Sequence, residues 1–107
     1  MSKHPAIETG IYSIRDLEVH YRKMRPNGHW FDPDTMAFFS SKINETLYYG
    51  EDTIFFVSSE KGPNQVRRYS IRRYNLANGD IDTVGLGFQG YKTLAAAKLA
   101  ASKMGVK

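Results

Sequence analysis

The chain contains no cysteine, and its 107 residues include only one tryptophan and four prolines. The absence of cysteine removes disulfides and thiolate nucleophiles, and it predicts a reducing, cytoplasmic setting. No apolar run comes near the ~18 residues that a membrane-spanning helix needs, and Met1–Glu8 carries no apolar signal core. Internal repeats and low-complexity linkers are missing as well. What is present is a hydrophobic fraction of 41% and an aromatic fraction of 13%, the composition of a folded globule. At this length the chain supports one domain with one modest core.

The formal net charge of +4 is unevenly spread. Residues 1–29 hold five basic and three acidic groups, residues 30–62 two and six, and residues 63–107 eight and two. A basic C-terminal part beside an acidic middle has two explanations. One is a polyanionic partner for the basic end; the other is neutralisation of a basic strand by an acidic one inside the fold.

Residues 1–12 read as a flexible, loosely docked arm and residues 13–107 as the domain. Ile14, Leu17, Tyr21 and Met24 form a helical stripe, with Ser13 and Asp16 in capping-box-like positions. Leu17, Val19 and Tyr21 also alternate as a strand would, but helix is the expectation, ended by the turn Arg25-Pro26-Asn27-Gly28. Asp32 is a natural N-cap, Pro33 suits N1, Asp34 suits the first turn, and Phe31 is placed to staple against Met36. That second helix is expected to reach Ser41, with Met36 and Phe39 on one face.

Strands are predicted over 43–49, 53–59, 66–74 and 81–86, with a turn at Gly50-Glu51-Asp52, a loop from Glu60 to Asn64 and a hairpin at Asn78-Gly79. Thr93 then caps an alanine-rich helix that runs to Met104 and stops at Gly105. The expected fold is a single small α+β domain: an antiparallel four-stranded meander flanked by a short N-terminal helix and a C-terminal alanine-rich helix. An unpaired edge strand of such a sheet would allow a homodimer.

The run Arg67-Arg68-Tyr69-Ser70-Ile71-Arg72-Arg73-Tyr74 carries the main functional signal. As a strand it places Arg68, Ser70, Arg72 and Tyr74 on one face and Arg67, Tyr69, Ile71 and Arg73 on the other. With Tyr69 and Ile71 toward the core, the first set faces solvent. Guanidinium grips phosphate bidentately, and both guanidinium and phenol stack on bases. The expected nucleic-acid contacts are therefore Arg67, Arg68, Arg72, Arg73 and Tyr74, with Lys92 and the Gly90–Thr93 amides holding a phosphate at the last helix. Arginines along a strand can follow a groove as β-ribbons do.

Other patterns carry less. Gly85-Leu86-Gly87-Phe88-Gln89-Gly90 spells G-x-G-x-x-G, but only 17 residues follow it, too few for the rest of a dinucleotide fold. A bulge or bend before a closely packed helix accounts for it better, and no cofactor is expected. His29, Asp32 and Asp34, with His20 as a further candidate, resemble a metal set. The aspartates already have helix-start roles, so no metal is expected. No nucleophile, histidine and carboxylate are spaced as a triad, and no enzyme activity is expected. Trp30, Phe38, Phe39, Phe55, Phe56 and Phe88 supply aromatic surface, mostly as core; Phe55 and Phe56 must face opposite sides of their strand.

Gly62-Pro63-Asn64-Gln65, Tyr69, and Gly90 ahead of a helix with Ala96, Ala100 and Ala101 resemble the closing half of double-stranded RNA-binding domains. That family's phosphate-gripping lysines would fall on Thr93, Leu94 and Ala97, and its turn histidine on Gln65, so the resemblance extends to the scaffold only. A broader resemblance is carried by His29-Trp30-Phe31-Asp32-Pro33-Asp34-Thr35-Met36-Ala37-Phe38-Phe39, by Phe56-Val57-Ser58-Ser59-Glu60-Lys61, by Arg68–Tyr74 and by Gly87-Phe88-Gln89-Gly90-Tyr91 with the alanine helix. It is similar to a small uncharacterised family of phages and mobile elements, over about residues 28–102. This implies a cytoplasmic accessory protein and brings no catalytic residues.

The leading expectation is a non-enzymatic accessory protein that binds nucleic acid through the basic strand face. The alternative is a protein–protein module, such as a phage-encoded modulator or inhibitor of a host defence or nucleic-acid-processing protein. That module would make contact through Glu45, Glu51, Asp52 and Glu60. No membrane partner is expected.

Overall fold

The computed structural model describes residues 10–38, 41–61 and 66–104. Helix α1 (Ile14–Met24) begins where Ser13 Oγ accepts the Asp16 N–H at 3.2 Å, while the Asp16 carboxylate accepts the Tyr12 N–H at 3.0 Å. The helical period wins over the strand-like alternation: Leu17 and Tyr21 are buried on one face, and Val19 is 48% exposed. Met24, expected in the buried stripe, lies on its exposed rim. Helix α2 (Pro33–Phe38) starts at the predicted residue, with the Asp32 carbonyl accepting the Met36 N–H at 3.0 Å, but the Asp32 carboxylate turns to His29 and Arg22 rather than capping the helix. Phe31 and Met36 join the same apolar cluster. Of the loop expected from Glu60 to Asn64, Glu60 and Lys61 instead extend the strand that begins at Thr53, and its remaining residues, like Phe39 and Gly105, lie outside the described residues.

The sheet is antiparallel and has five strands: β1 (Lys42–Ile43), β2 (Tyr48–Gly50), β3 (Thr53–Lys61), β4 (Arg67–Asn75) and β5 (Ile81–Val84). β1 and β2 both pair with the same edge of β3, through Lys42↔Ser59 and Ile43↔Ser58, then Tyr48↔Phe55 and Gly50↔Thr53. They are the single strand expected over 43–49, interrupted at 44–47. There Asn44 Oδ1 accepts the Thr46 N–H at 3.1 Å, a local turn that competes with the ladder.

β4 and β5 join through the Asn78-Gly79 loop, where Gly79 has φ +78° and its N–H donates to the Asn75 carbonyl at 2.8 Å. β5 ends at Val84 rather than residue 86. The chain leaves the edge at Gly85 (φ +73°), turns over the face that carries Ser70, and rejoins the same side of β4 at Tyr91, whose N–H and C=O pair with Tyr69 at 3.0 and 2.9 Å. The glycine run is thus an excursion of the edge strand.

Helix α3 (Leu94–Met104) follows, with Thr93 Oγ1 accepting the Ala96 N–H at 3.1 Å. It packs Ala97 and Ala101 against the sheet face that carries Phe55, Val57, Ile71 and Tyr91. The other sheet face carries Ile54, Phe56 and Tyr74 beneath Leu17, Tyr21 and Phe31. Consecutive Phe55 and Phe56 are both buried because helices cover both faces. Ile11 is also buried, and the Tyr49 hydroxyl donates to its carbonyl at 2.8 Å, so the end of the expected arm is anchored to the sheet.

Candidate nucleic-acid interface

The face of β4 expected to meet solvent is covered. Arg68, Ser70, Arg72 and Tyr74 do share one face, as their register opposite Glu60, Ser58, Phe56 and Ile54 shows. But that face lies under α1 and the residue 85–90 excursion, and Tyr74 and Ser70 are fully buried. Tyr74 is a core residue whose hydroxyl lies 2.5 Å from His20 Nδ1, and burial pushes its pKa up to about 12. The expected solvent row fails because alternation assigns residues to faces without showing whether a second layer covers the other face.

The covered face has an apolar half and a polar half. In the polar half, Arg72 Nε donates to Ser58 Oγ at 2.9 Å, Nη1 donates to Thr83 Oγ1, and Nη2 donates to Glu60 Oε1 at 3.4 Å. Ser70 Oγ donates to the same Glu60 oxygen at 3.1 Å. Burial lowers the Arg72 pKa, and the neighbouring Glu60 carboxylate opposes that shift. The guanidinium lies 5.5 Å from the Trp30 ring centre and 5.4 Å from that of Phe88. The excursion closes over this layer: the Gln89 N–H donates to Ser70 Oγ at 2.6 Å, and Arg68 Nη2 reaches the Gly90 carbonyl at 3.4 Å. Arg68 and Arg72 therefore serve the interior.

The opposite face of β4 gives a different outcome. Arg73 pairs with Asp82 at 2.9 Å on the surface. Arg67 Nη1 donates to Ser59 Oγ at 2.7 Å and to the Ser59 carbonyl at 3.2 Å. This leaves Nε and Nη2 without a partner among the described residues. The register sets Lys61 directly across from Arg67, and Lys42 across from Ser59 on the other side of β3.

Lys42, Lys61 and Arg67 thus share one face at one end of the sheet, and none has a carboxylate partner among the described residues. Lys42 and Arg67 line a groove of about 230 Å³ with Asn44, Ser59, Tyr69 and Leu94, and Lys61 stands across from Arg67 at its side. Lys92 is exposed two residues before Leu94. Lys42 and Lys61 were missed because they stand far apart in sequence; only the β1–β3–β4 register brings them together.

The acidic residues separate as well. Glu45, Glu51 and Asp52 are exposed, whereas Glu60 is 1% exposed and is removed from any contact surface by its pair with Arg72. His29 Nδ1 sits 2.7 Å from Asp32 Oδ2, and that bond is the main cause lowering the Asp32 pKa. His20 is turned to Tyr74 instead, and no three metal-ligating side chains converge among the described residues.

One family pattern matches residues 13–102, from the cap of α1 almost to the end of α3: a family of unknown function, DUF7447. The chain belongs to this family. The DUF7447 match begins at residue 13, not 28, so α1 is part of the family pattern rather than particular to this chain. No curated protein and no solved structure matches it. No helix among the described residues is long and apolar enough to cross a membrane.

Proposed function

We propose that this DUF7447 protein binds nucleic acid, without catalysis, through the basic groove on the α3 side of the sheet. The observation that carries this is the grouping of Lys42, Lys61 and Arg67 on one face without carboxylate partners, around a groove with Tyr69 in its wall. Ser59 holds one side of the Arg67 guanidinium and leaves the other two nitrogens for a phosphate. Lys42, Lys61 and Lys92 supply point charges beside it. Tyr69 offers a ring for a base. An accessory role in a phage or mobile element agrees with a small binding protein of this kind.

A second reading is favoured by the distribution of charge along β3. Glu51 and Asp52 are exposed at its start and Lys61 stands at its end, roughly 30 Å apart at ordinary strand rise. The acidic end suits the basic groove of a host protein, and Glu45 lies exposed in the interruption beside β3.

The test is anisotropy titration of labelled single-stranded and duplex DNA and RNA at two salt concentrations. The expected result is affinity that falls steeply with salt. A Lys42→Glu/Arg67→Glu variant should lower the slope of log K against log salt by about 2, near one unit per lost phosphate contact. Affinity that barely changes with salt, or an unchanged slope in that variant, overturns the groove and leaves the acidic end as the surface to pursue.

A further inference from the structure

The polar layer on the covered face adjoins a second cavity, of about 170 Å³, whose wall includes Trp30, Thr35, Met36, Glu60, Arg72 and Phe88. Its chemistry is unlike that of the basic groove. The Glu60 side chain is 2% exposed, and only one of its oxygens is engaged; Oε2 is buried with no hydrogen-bond partner among the described residues. A buried acceptor of this kind is costly to leave unmet. A guanidinium has five N–H groups. Arg72 directs three of them to Ser58, Thr83 and Glu60, so two remain. Trp30, Phe88 and Met36 make up the apolar part of the wall.

We infer that this cavity binds one uncharged, planar, carbonyl-rich heterocycle: a nucleobase of the uracil or hypoxanthine type. Charge comes first. Glu60 and Arg72 neutralise one another in a poorly solvated place, so a ligand with a full charge would find no counterion. The Arg72 cation already lies over both rings, which removes the cavity from use as a cage for an ammonium group.

Hydrogen-bond inventory comes next. One vacant carboxylate oxygen asks for one donor, and two spare N–H groups ask for acceptors. A ring N–H beside a carbonyl supplies that ratio, because the carbonyl has two lone pairs. Adenine and cytosine present an amino group with two N–H groups instead, only one of which the vacant Glu60 oxygen takes. Size agrees: the volume falls below the roughly 300 Å³ at which drug-sized pockets begin, so a ring enters and a sugar stays outside.

Trp30 is the chain's only tryptophan, so its fluorescence reports on the cavity directly. The inference goes beyond the groove reading and is separable from it, since nucleosides carry no phosphate. The experiment titrates uridine, inosine, adenosine and cytidine into the full-length protein, and then short oligo(U) and oligo(A).

Expected is saturable quenching by uridine and inosine, with adenosine and cytidine at least about tenfold weaker, the loss produced by one unmatched buried hydrogen bond. Phe88→Ala removes a half-exposed ring and should abolish the response with the fold intact. Lys42→Glu/Arg67→Glu should leave the nucleoside response unchanged while weakening the oligonucleotides.

Quenching by oligo(U) alone, still lost in Phe88→Ala, supports the same base held within a strand. No quenching by any of these ligands, equal quenching by all four nucleosides, or a response that survives Phe88→Ala overturns the inference.

Discussion

Glu60 reaches past its cross-strand partner Arg68 to meet Arg72, two same-face positions further along β4, at 3.4 Å. Ser70, which lies between the two arginines on that face, donates to the same carboxylate oxygen. The pair is nearly sealed, with side-chain exposures of 2% and 13%. Removing one member of such a pair strands the other as an uncompensated buried charge. Glu60→Leu should therefore cost about 3–5 kcal/mol, and Glu60→Leu/Arg72→Met should recover most of it. Urea unfolding of the two variants checks this; a double variant no better than the single one would show that the pair is not the source of the loss.

Two phenylalanines near Trp30 should behave differently. Phe56 is fully buried beneath it, ring centres 5.5 Å apart, while Phe88 is 49% exposed and touches the far side of the Arg72 layer. Phe56→Ala should cost about 3–5 kcal/mol through lost transfer energy and a cavity. Phe88→Ala should cost clearly less, about 1–1.5 kcal/mol, because half of that ring is already in water. Thermal unfolding of both variants measures the contrast. A large loss at Phe88 would make that ring part of the core.

The helix starts were the most legible part of the fold: Ser13 and Thr93 accept a backbone N–H three residues on, and Pro33 opens the second helix where its missing N–H costs nothing. Strand alternation was equally local, and it assigned Arg68 and Arg72 to one face correctly. What alternation could not supply was the layer above that face, made by α1 and by an excursion that begins beyond β5. The adjacent pair Phe55-Phe56 held the clue, since two neighbouring apolar residues in a strand need cover on both sides. The basic groove depends on register across three strands, and the cavity brings Trp30, Glu60, Arg72 and Phe88 together from separate parts of the chain. Neither leaves a short-range signature in the sequence.

Gly79 ties the β4–β5 hairpin to the end of α1. Its φ of +78° is a left-handed conformation, and a Cβ built there would stand 2.7 Å from the Met24 Cβ. Arg25 fastens the same corner, with Nε donating to the Asn78 carbonyl at 2.9 Å and an ion pair to Asp80. Gly79→Ala should cost about 1–2 kcal/mol from the backbone alone, with the Met24 clash adding to it. Asn78→Ala leaves the left-handed position untouched and should cost less. Equal losses in urea unfolding would argue against strain at Gly79.

His20 should make stability depend on pH. Its ring nitrogen faces the buried Tyr74 hydroxyl, and burial, helped by nearby Lys23, holds its pKa below the ordinary 6.5. A histidine depressed on folding takes up its proton more readily in the unfolded chain. Its contribution is complete above pH 6.5, and it is lost as pH falls from there through the folded pKa. The Tyr74 hydroxyl, with a pKa of about 12, keeps its proton throughout this window. Asp32 is depressed below 3.8 and titrates at lower pH. The urea midpoint should therefore drop between pH 7.5 and pH 5.5 in the native sequence. In His20→Gln the drop should shrink, although that variant is less stable at every pH for want of the ring. An identical pH slope in both proteins would place the titrating group elsewhere.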